Sequence, residues 1–250
     1  GEALIAALIS SGVNPELITI SEKRADRSAE LTAKYSIRQA PLATNVAAAD
    51  ALLLVVKPQD MAAVLEELKG FINPAAVVIT FVAGKTISFI SSALGTANPV
   101  IRVMPNTPTM VGAGMAAASM GAGVTDDHKK FVLGFLAATG KVIEVSEDLQ
   151  DAVTATSGSG PAYFFAFVEA MVAGAKELGL SQEDATTLTI QTIVGAAKLL
   201  DESGKSATTL RENVTSPNGT TAAALASFGA SDLNSMVAKA MKAASDRSQE

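Results

Sequence analysis

Three apolar runs in the first part of the chain constrain its fold most strongly. Each is nearly continuous and passes directly into a proline or glycine turn: Ala51 to Val56, Ala76 to Val82 and Val100 to Met104. Continuous apolar runs are typical of parallel strands that helices cover on both faces. Segments of helical character separate the runs, so the alternation predicts an α/β fold with a doubly wound, mostly parallel sheet. Ligands of such sheets bind at the carboxyl ends of the strands, where these turns lie.

The composition excludes several classes of function. At 250 residues, with 48% hydrophobic and 18% charged residues, the chain can form one large or two ordinary globular domains. A net charge of -6 disfavours nucleic-acid binding, which needs clustered lysine and arginine. The chain has no cysteine, and its single histidine, His128, lies in a charged run typical of a solvated helix start. These counts predict no metal site and no histidine-dependent acid–base chemistry.

We expect neither a membrane segment nor a signal peptide. The longest charge-free window, Val103 to Thr125, contains Pro105, Pro108 and several glycines, which would break a lipid-facing helix. The absence of cysteine agrees with a reducing compartment. The sequence therefore predicts a cytoplasmic protein without a membrane or nucleic-acid partner.

The first residues have the pattern of a βαβ unit without its first strand. Residues 2–11 carry apolar side chains at helical spacing, and Leu17 to Ile20 is a short apolar run, so a helix and a strand follow Gly1. We interpret this as a unit whose first strand is absent from this sequence. Ser21 follows Gly1 by 20 positions (21 - 1). In a dinucleotide-binding unit this distance separates the third phosphate-loop glycine from the residue that contacts the ribose.

The residues around this position favour NADP. Ser21, Lys23 and Arg24 place a hydroxyl and two cations where an NAD site usually carries an acid, and such groups can pair with a 2′-phosphate. The alternative is a solvated, charged helix start, and Glu22 counts against the phosphate.

After about residue 150 the sequence predicts helices only. Pro161 to Leu178 is apolar on almost every side, and residues 233–244 carry a stripe of leucine, methionine and valine at helical spacing. Such helices expose more apolar surface than one small bundle can bury, so we predict a homodimer through this half. We place the domain division between residues 1–150, a dinucleotide-binding domain that lacks its first strand, and residues 151–250, an all-helical dimerisation and substrate-binding domain.

The stretch Ser157 to Pro161 joins the two halves. Its glycines and serine, with a proline suited to the first position of a helix, predict a tight turn. This turn is either an interdomain hinge alone or a hinge that also faces a ligand.

A second turn lies between the helices of the second half. Pro217-Asn218-Gly219 predicts a turn before a helix. Hydroxyl side chains surround it, at Ser216, Thr220 and Thr221. Backbone N–H groups at such a helix start can bind a small carboxylate or phosphate. A plain helix cap explains the same residues.

Taken together, the motifs resemble those of the pyrroline-5-carboxylate reductase family. The likeness covers essentially the whole chain and is carried by four segments: Val56 to Gln59, Arg102 to Pro108, Ser157 to Tyr163 and Val214 to Thr221. The last segment, with Leu210 before it, is the most specific. The family has a first strand and two more phosphate-loop glycines before the position of Gly1, and a glycine where this chain has Asn218. Asparagine tolerates a left-handed backbone, so the second departure is mild.

The resemblance implies hydride transfer from NADPH, with NADH as the alternative, to the imine carbon of pyrroline-5-carboxylate, which gives L-proline in proline biosynthesis. It implies a Rossmann-like cofactor domain and a homodimer, or a higher homo-oligomer such as a decamer. Catalysis is assigned to Thr221, and the substrate is assigned to Ser216, Gly219, Thr220 and Thr221. Strand ends and the resemblance together predict the residues along the cofactor: Gly1, Ser21, Lys23, Arg24, Asn45, Val55, Val56, Lys57, Pro58, Phe81, Val82 and Ala83.

Two other functions stay open at this point. One is an NADP-dependent reductase of another imine or of a β-hydroxy acid on a similar two-domain plan. Hydroxy-acid enzymes of that kind generally use a lysine in the helical domain, and Lys176, Lys198 and Lys205 lack that motif. The other is a non-catalytic Rossmann-like dimer that has no phosphate loop.

Overall fold

The computed structural model describes residues 1–249, and their packing divides them into two units. One consists of Gly1–Ser159 with the end of the chain from Ala244, and the other of Gly160–Ala243. All the strands among the described residues lie in the first unit.

In the first unit, strands alternate with helices. The strands are β1 Thr19–Ile20, β2 Arg38–Gln39, β3 Ala51–Leu54, β4 Val77–Thr80, β5 Val100–Pro105, β6 Gly114–Met120 and β7 Gly140–Glu144. The helices are α1 Glu2–Ser10, α2 Ala25–Tyr35, α3 Leu42–Ala48, α4 Met61–Leu68, α5 Ile87–Leu94, α6 Asp126–Ala137 and α7 Gln150–Val153. Strands β3, β4 and β5 correspond to the three apolar runs. The apolar pattern does not reveal β2, because both of its residues are polar and exposed.

A five-stranded sheet has helices on both faces. Its order is β3-β4-β5-β6-β7, and every neighbouring pair is parallel except β5–β6. Val77 and Ile79 of β4 pack into one apolar cluster with α1, α2 and α6, whereas Val78 packs with α4 and α5 on the opposite face. The predicted doubly wound, mostly parallel sheet is confirmed. Because side chains alternate between two buried faces, every residue of β4 is buried.

A capping box begins α6. The Thr125 hydroxyl accepts a hydrogen bond from the His128 N–H at 3.2 Å, and His128 Nδ1 accepts one from the Thr125 N–H at 3.3 Å. Asp126 and Asp127 add negative charge to the first turn, which the helix dipole favours. His128 therefore belongs to a helix start, as predicted.

Only helices form the second unit. They are α8 Gly160–Glu177, α9 Gln182–Glu202, α10 Ala207–Asn213, α11 Thr220–Ala230 and α12 Leu233–Ser248, whose last residues belong to the first unit. Several large apolar side chains of these helices are about half exposed or more in the single chain: Phe164 at 61%, Phe165 at 64%, Leu188 at 56% and Met236 at 59%. Apolar surface of this kind is typical of a subunit interface. None of the helices within residues 1–249 has the length and apolar character needed to cross a membrane.

The stretch Ser157 to Pro161 does not form the predicted tight turn. Thr154–Gly158 is a π-helical turn, so the chain is helical almost without interruption from Gln150 to Glu177. Neither Gly158 nor the glycine that begins α8 has a positive φ. A Cβ atom on Gly158 would lie 2.5 Å from Cε of Met104, so this glycine serves close packing against the end of β5. The tight-turn prediction is wrong because glycine and proline are compatible with the start of a helix as well as with a turn.

Candidate functional site

A cavity of about 1430 Å³ in the first unit is lined by α1, β1 and β3. The strands β1 and β3 border it without pairing with each other. The structure brings together seven of the twelve residues predicted along the cofactor, which are Gly1, Ser21, Lys23, Asn45, Val55, Val56 and Lys57. The other five, Arg24, Pro58, Phe81, Val82 and Ala83, do not line this cavity.

The amino end of α1 opens into the cavity beside Gly1. The N–H groups of Leu4 and Ile5 donate to the Gly1 carbonyl oxygen at 3.0 and 3.2 Å. No side chain caps this helix, and the N–H groups of Glu2 and Ala3 make no hydrogen bond with residues 1–249. A helix start with free N–H groups favours an anion such as a pyrophosphate.

Ser21 and Asn45, which the sequence separates by 24 positions, are hydrogen-bonded to each other. Asn45 Nδ2 donates to the Ser21 hydroxyl oxygen at 3.1 Å and to the carbonyl oxygen of Thr19 at 3.1 Å. The Ser21 hydroxyl donates to the carbonyl oxygen of Ala40 at 3.0 Å. These bonds hold both polar side chains at the carboxyl end of β1, where a ribose is expected.

The cations near β1 differ in their partners. Lys23 is exposed and makes no hydrogen bond or ion pair with any described residue. Arg24 pairs with Asp26 through Nη2 at 2.6 Å and Nε at 3.3 Å. The Glu22 carboxylate accepts from the Arg24 main-chain N–H at 3.0 Å. Lys23 is therefore the more available cation for a phosphate.

Glu2 forms ion pairs with two basic side chains of α2. Its carboxylate accepts hydrogen bonds from Lys34 Nζ and the Tyr35 hydroxyl, both at 2.9 Å, and pairs with Arg27 at 2.5 Å. The hydrogen bonds from Lys34, Arg27 and Tyr35 lower the pKa of Glu2 to about 2. This carboxylate stays charged at neutral pH and fastens α2 to the first turn of α1.

The carboxyl ends of β3 and β4 form the edge beside the cavity. Because β3 and β4 are parallel, residues 55–58 and 81–83 leave the sheet at the same edge. The Phe81 N–H donates to the Leu54 carbonyl oxygen at 3.1 Å, which keeps the two ends together. Val82 is 4% exposed, and its side chain packs in the core. A ligand at this edge would therefore contact the main chain of Val82.

These features fit a dinucleotide. The helix start suits a pyrophosphate, Ser21 and Asn45 suit a ribose, and Lys23 suits an additional phosphate, while the strand ends suit a nicotinamide ring. Among residues 1–249 there is no group of three or more histidine or carboxylate side chains that could hold a metal ion.

The turn Ser216–Gly219 in the second unit begins α11. Asn218 has a φ of 60°, the left-handed conformation, and the Gly219 N–H donates to the Ser216 carbonyl oxygen at 3.0 Å. A Cβ atom on Gly219 would collide with the Ser216 hydroxyl. No side chain caps α11. The hydroxyls of Thr220 and Thr221 make no hydrogen bond with residues 1–249, so they and the first N–H groups are available to a small anion.

Two polar residues of the segment Arg102 to Pro108, at the carboxyl end of β5, carry no role in the sequence-based prediction. Arg102 is 4% exposed and pairs with Glu147 at 3.3 Å and Asp151 at 3.7 Å, which fastens β5 to the start of α7. Asn106 makes hydrogen bonds with Met115 of β6 and with Ser157 of the π-helical turn. The sequence signal for a functional role of Asn106 is its position just after the apolar run Val100 to Met104, at the carboxyl end of a strand.

The fold and the cavity define a dinucleotide-dependent oxidoreductase. Residues 1–84 match the family described as NADP oxidoreductase coenzyme F420-dependent, and residues 147–250 match pyrroline-5-carboxylate reductase dimerisation. The chain is 36% identical over 252 residues to pyrroline-5-carboxylate reductase 1 of Bacillus spizizenii, covering 100% of this chain and 85% of the relative. It therefore belongs to the pyrroline-5-carboxylate reductase family and contains that family's dimerisation domain.

Two solved structures of pyrroline-5-carboxylate reductases have the same fold as this chain. A pyrroline-5-carboxylate reductase from Coxiella burnetii superimposes with a TM-score of 0.92 at 35% identity, covering 100% of this chain and 94% of that one. The Plasmodium falciparum pyrroline carboxylate reductase with NADP bound gives a TM-score of 0.85 at 27% identity, again over 100% and 94%. The resemblance drawn from the motifs is confirmed.

Proposed function

We infer that this chain reduces the imine carbon of 1-pyrroline-5-carboxylate with a hydride from NADPH and releases L-proline, the last step of proline biosynthesis. Family membership over the whole chain carries this conclusion. The reaction suits a protein with one histidine, because a protonated imine is already electrophilic. It needs a hydride donor, an anchored carboxylate and shelter from water.

In the first domain, we propose that the predicted cofactor residues hold the dinucleotide. The start of α1 beside Gly1 binds the pyrophosphate, Ser21 and Asn45 contact the ribose, and Lys23 pairs with the 2′-phosphate. The main chain of residues 55–58 and 81–83 lines the nicotinamide. The bound cofactor supplies the hydride, and these residues fix its position and exclude water. NADH is the alternative donor.

In the second domain, we propose that the start of α11 holds the substrate carboxylate. Ser216, Gly219, Thr220 and Thr221 surround the free N–H groups, and these supply neutral donors for a carboxylate without a lysine or arginine. The Thr221 hydroxyl accepts a hydrogen bond from the iminium N–H and keeps the ring in place during hydride transfer. The division at residues 1–150 and 151–250 separates these two tasks.

The test of this function is direct. The purified protein, mixed with NADPH and pyrroline-5-carboxylate, should lose NADPH absorbance and form an equal amount of proline. Separate assays with another cyclic imine and with a β-hydroxy acid measure selectivity. A protein that binds NADPH without oxidising it in any assay would be the non-catalytic dimer.

We propose that the chain is a cytoplasmic homodimer that assembles further, with a decamer as the higher form. The exposed apolar side chains of α8, α9 and α12 support the dimer. Light scattering at low micromolar concentration is expected to give at least twice the mass of one chain. Replacing Phe164 and Phe165 with serine should lower that mass, because both side chains are more than half exposed in the single chain. A stable monomer of the unaltered protein would contradict the proposal.

A further inference from the structure

Asn106 connects the end of β5 to Met115 of β6, nine positions away, and to Ser157, 51 positions away. Its Nδ2 group donates to the carbonyl oxygen of Ser157 at 3.3 Å and to the Ser157 hydroxyl oxygen at 3.2 Å. Its Oδ1 atom accepts from the Met115 N–H at 2.9 Å. An asparagine at the start of a short helix usually caps that helix, but Asn106 does not. The side chain therefore uses both its donor and its acceptor to join β5, β6 and the π-helical turn.

The Ser157 carbonyl oxygen is available to Asn106 for a reason that lies in the sequence. In an α-helix this oxygen would accept from the N–H four residues later, and that residue is Pro161, which has no N–H. The π-helical turn Thr154–Gly158 ends immediately before α8, with the Ser159 N–H donating to Thr154 at 2.8 Å. Single π-helical turns occur frequently at functional sites.

The Ser157 hydroxyl has a proton to donate. Its oxygen accepts from Asn106, and the hydroxyl makes no donor hydrogen bond with residues 1–249. Ser157 is partly exposed, and Gly158 beside it packs on Met104 near the carboxyl end of β5. This strand is parallel to β4, so its end lies at the same sheet edge as the proposed nicotinamide site.

We propose that Asn106 is a positioning residue that holds the π-helical turn and directs the Ser157 hydroxyl as a hydrogen-bond donor to the bound nicotinamide. The acceptor is the carboxamide oxygen of the nicotinamide. The proposal rests on the proposed function. Only a side chain with an acceptor and a donor on one planar group can make all three bonds at once.

A double-mutant cycle tests whether Asn106 acts through Ser157. Ser157→Ala and Asn106→Ala should each lower kcat/KM about threefold to tenfold, the scale of one neutral hydrogen bond. The double variant should show the same loss as either single variant, because the second change removes a contact that is already lost. Multiplied losses, or wild-type constants in Ser157→Ala, overturn the proposal. Asn106→Asp keeps the acceptor for Met115 and replaces Asn106→Ala if that variant does not fold.

Two measurements besides activity complete the test. In the ligand-free protein, hydrogen exchange at the Met115 and Ser159 amides should be faster in Asn106→Ala. Fluorescence titration with NADPH then tests the acceptor. Weaker NADPH binding by Ser157→Ala supports the contact with the carboxamide, and unchanged NADPH binding overturns it. Unchanged exchange at both amides overturns the role of Asn106.

Asn73 provides the matched control. Its Nδ2 group donates to the Ala49 carbonyl oxygen at 3.1 Å, and its Oδ1 atom accepts from the Ala75 N–H at 3.0 Å. Asn73 precedes β4, so it lies at the amino end of that strand and away from the proposed nicotinamide site. Asn73→Ala should lower the melting temperature and leave kcat and KM unchanged. If Asn106→Ala behaves in the same way, the side chain is structural only and the proposal fails. A wild-type protein that does not oxidise NADPH with pyrroline-5-carboxylate would contradict the proposed function instead.

Discussion

Thr221→Ala is expected to lower kcat/KM for pyrroline-5-carboxylate about tenfold to a hundredfold, on the scale of one hydrogen bond to a charged group in the transition state. The hydroxyl lies in the first turn of α11 and makes no hydrogen bond with residues 1–249, so its removal breaks no described contact. The loss should appear in kcat and in the KM for the imine, whereas the KM for NADPH should change little. Initial rates of NADPH oxidation at varied concentrations of each reactant measure these constants.

Thr221→Ser is the control for this change. It keeps the hydroxyl and removes only a methyl group, so we expect it to retain activity within about threefold of the unaltered protein. The melting temperatures of both variants should stay close to that of the unaltered protein. Wild-type constants in Thr221→Ala would remove this side chain from the site, and an equal loss in Thr221→Ser would show that the methyl group matters rather than the hydroxyl.

Lys23→Ala is expected to raise the KM for NADPH about tenfold to a hundredfold and to leave the KM for NADH nearly unchanged. A lysine hydrogen-bonded to a phosphate contributes about 1.5–3 kcal/mol, and only NADPH carries the 2′-phosphate. Arg24→Ala should have a smaller effect, because Asp26 already binds this guanidinium at 2.6 Å. The combined change at both positions should exceed Lys23→Ala only slightly. Steady-state kinetics with the two cofactors measure the ratio.

Lys69→Ala is the matched control for Lys23→Ala. Lys69 is a partly exposed lysine after α4 and pairs with Glu66, and it does not line the cavity. Its removal changes the net charge by the same amount, so it separates a specific contact from a general electrostatic effect. Equal changes for NADPH and NADH in Lys23→Ala would refute the phosphate contact. A larger change in Arg24→Ala would show that the guanidinium leaves Asp26 when the cofactor binds.

Local pattern was enough to predict β3, β4 and β5. Their residues are apolar at nearly every position because helices cover both faces, and this pattern is independent of the rest of the chain. The start of α11 was also predictable, because a Pro-Asn-Gly turn favours a left-handed backbone at its asparagine. Asn218 adopts this conformation, with a φ of 60°. In contrast, the glycines and Pro161 near Ser157 suit a turn or a helix start, and local sequence could not distinguish a tight turn from a π-helical turn.

By itself, the sequence determined the doubly wound sheet, the helical second half and the family, because each depends on periodicity or on short motifs. Only the tertiary structure decided which polar groups are available to a ligand. It leaves Lys23 without a described partner beside the cavity, and it joins Ser21 to Asn45 across 24 positions. It also brings Asn106 to Ser157 across 51 positions. Hydrogen bonds between distant residues depend on how the strands and helices pack, and no local pattern records that packing.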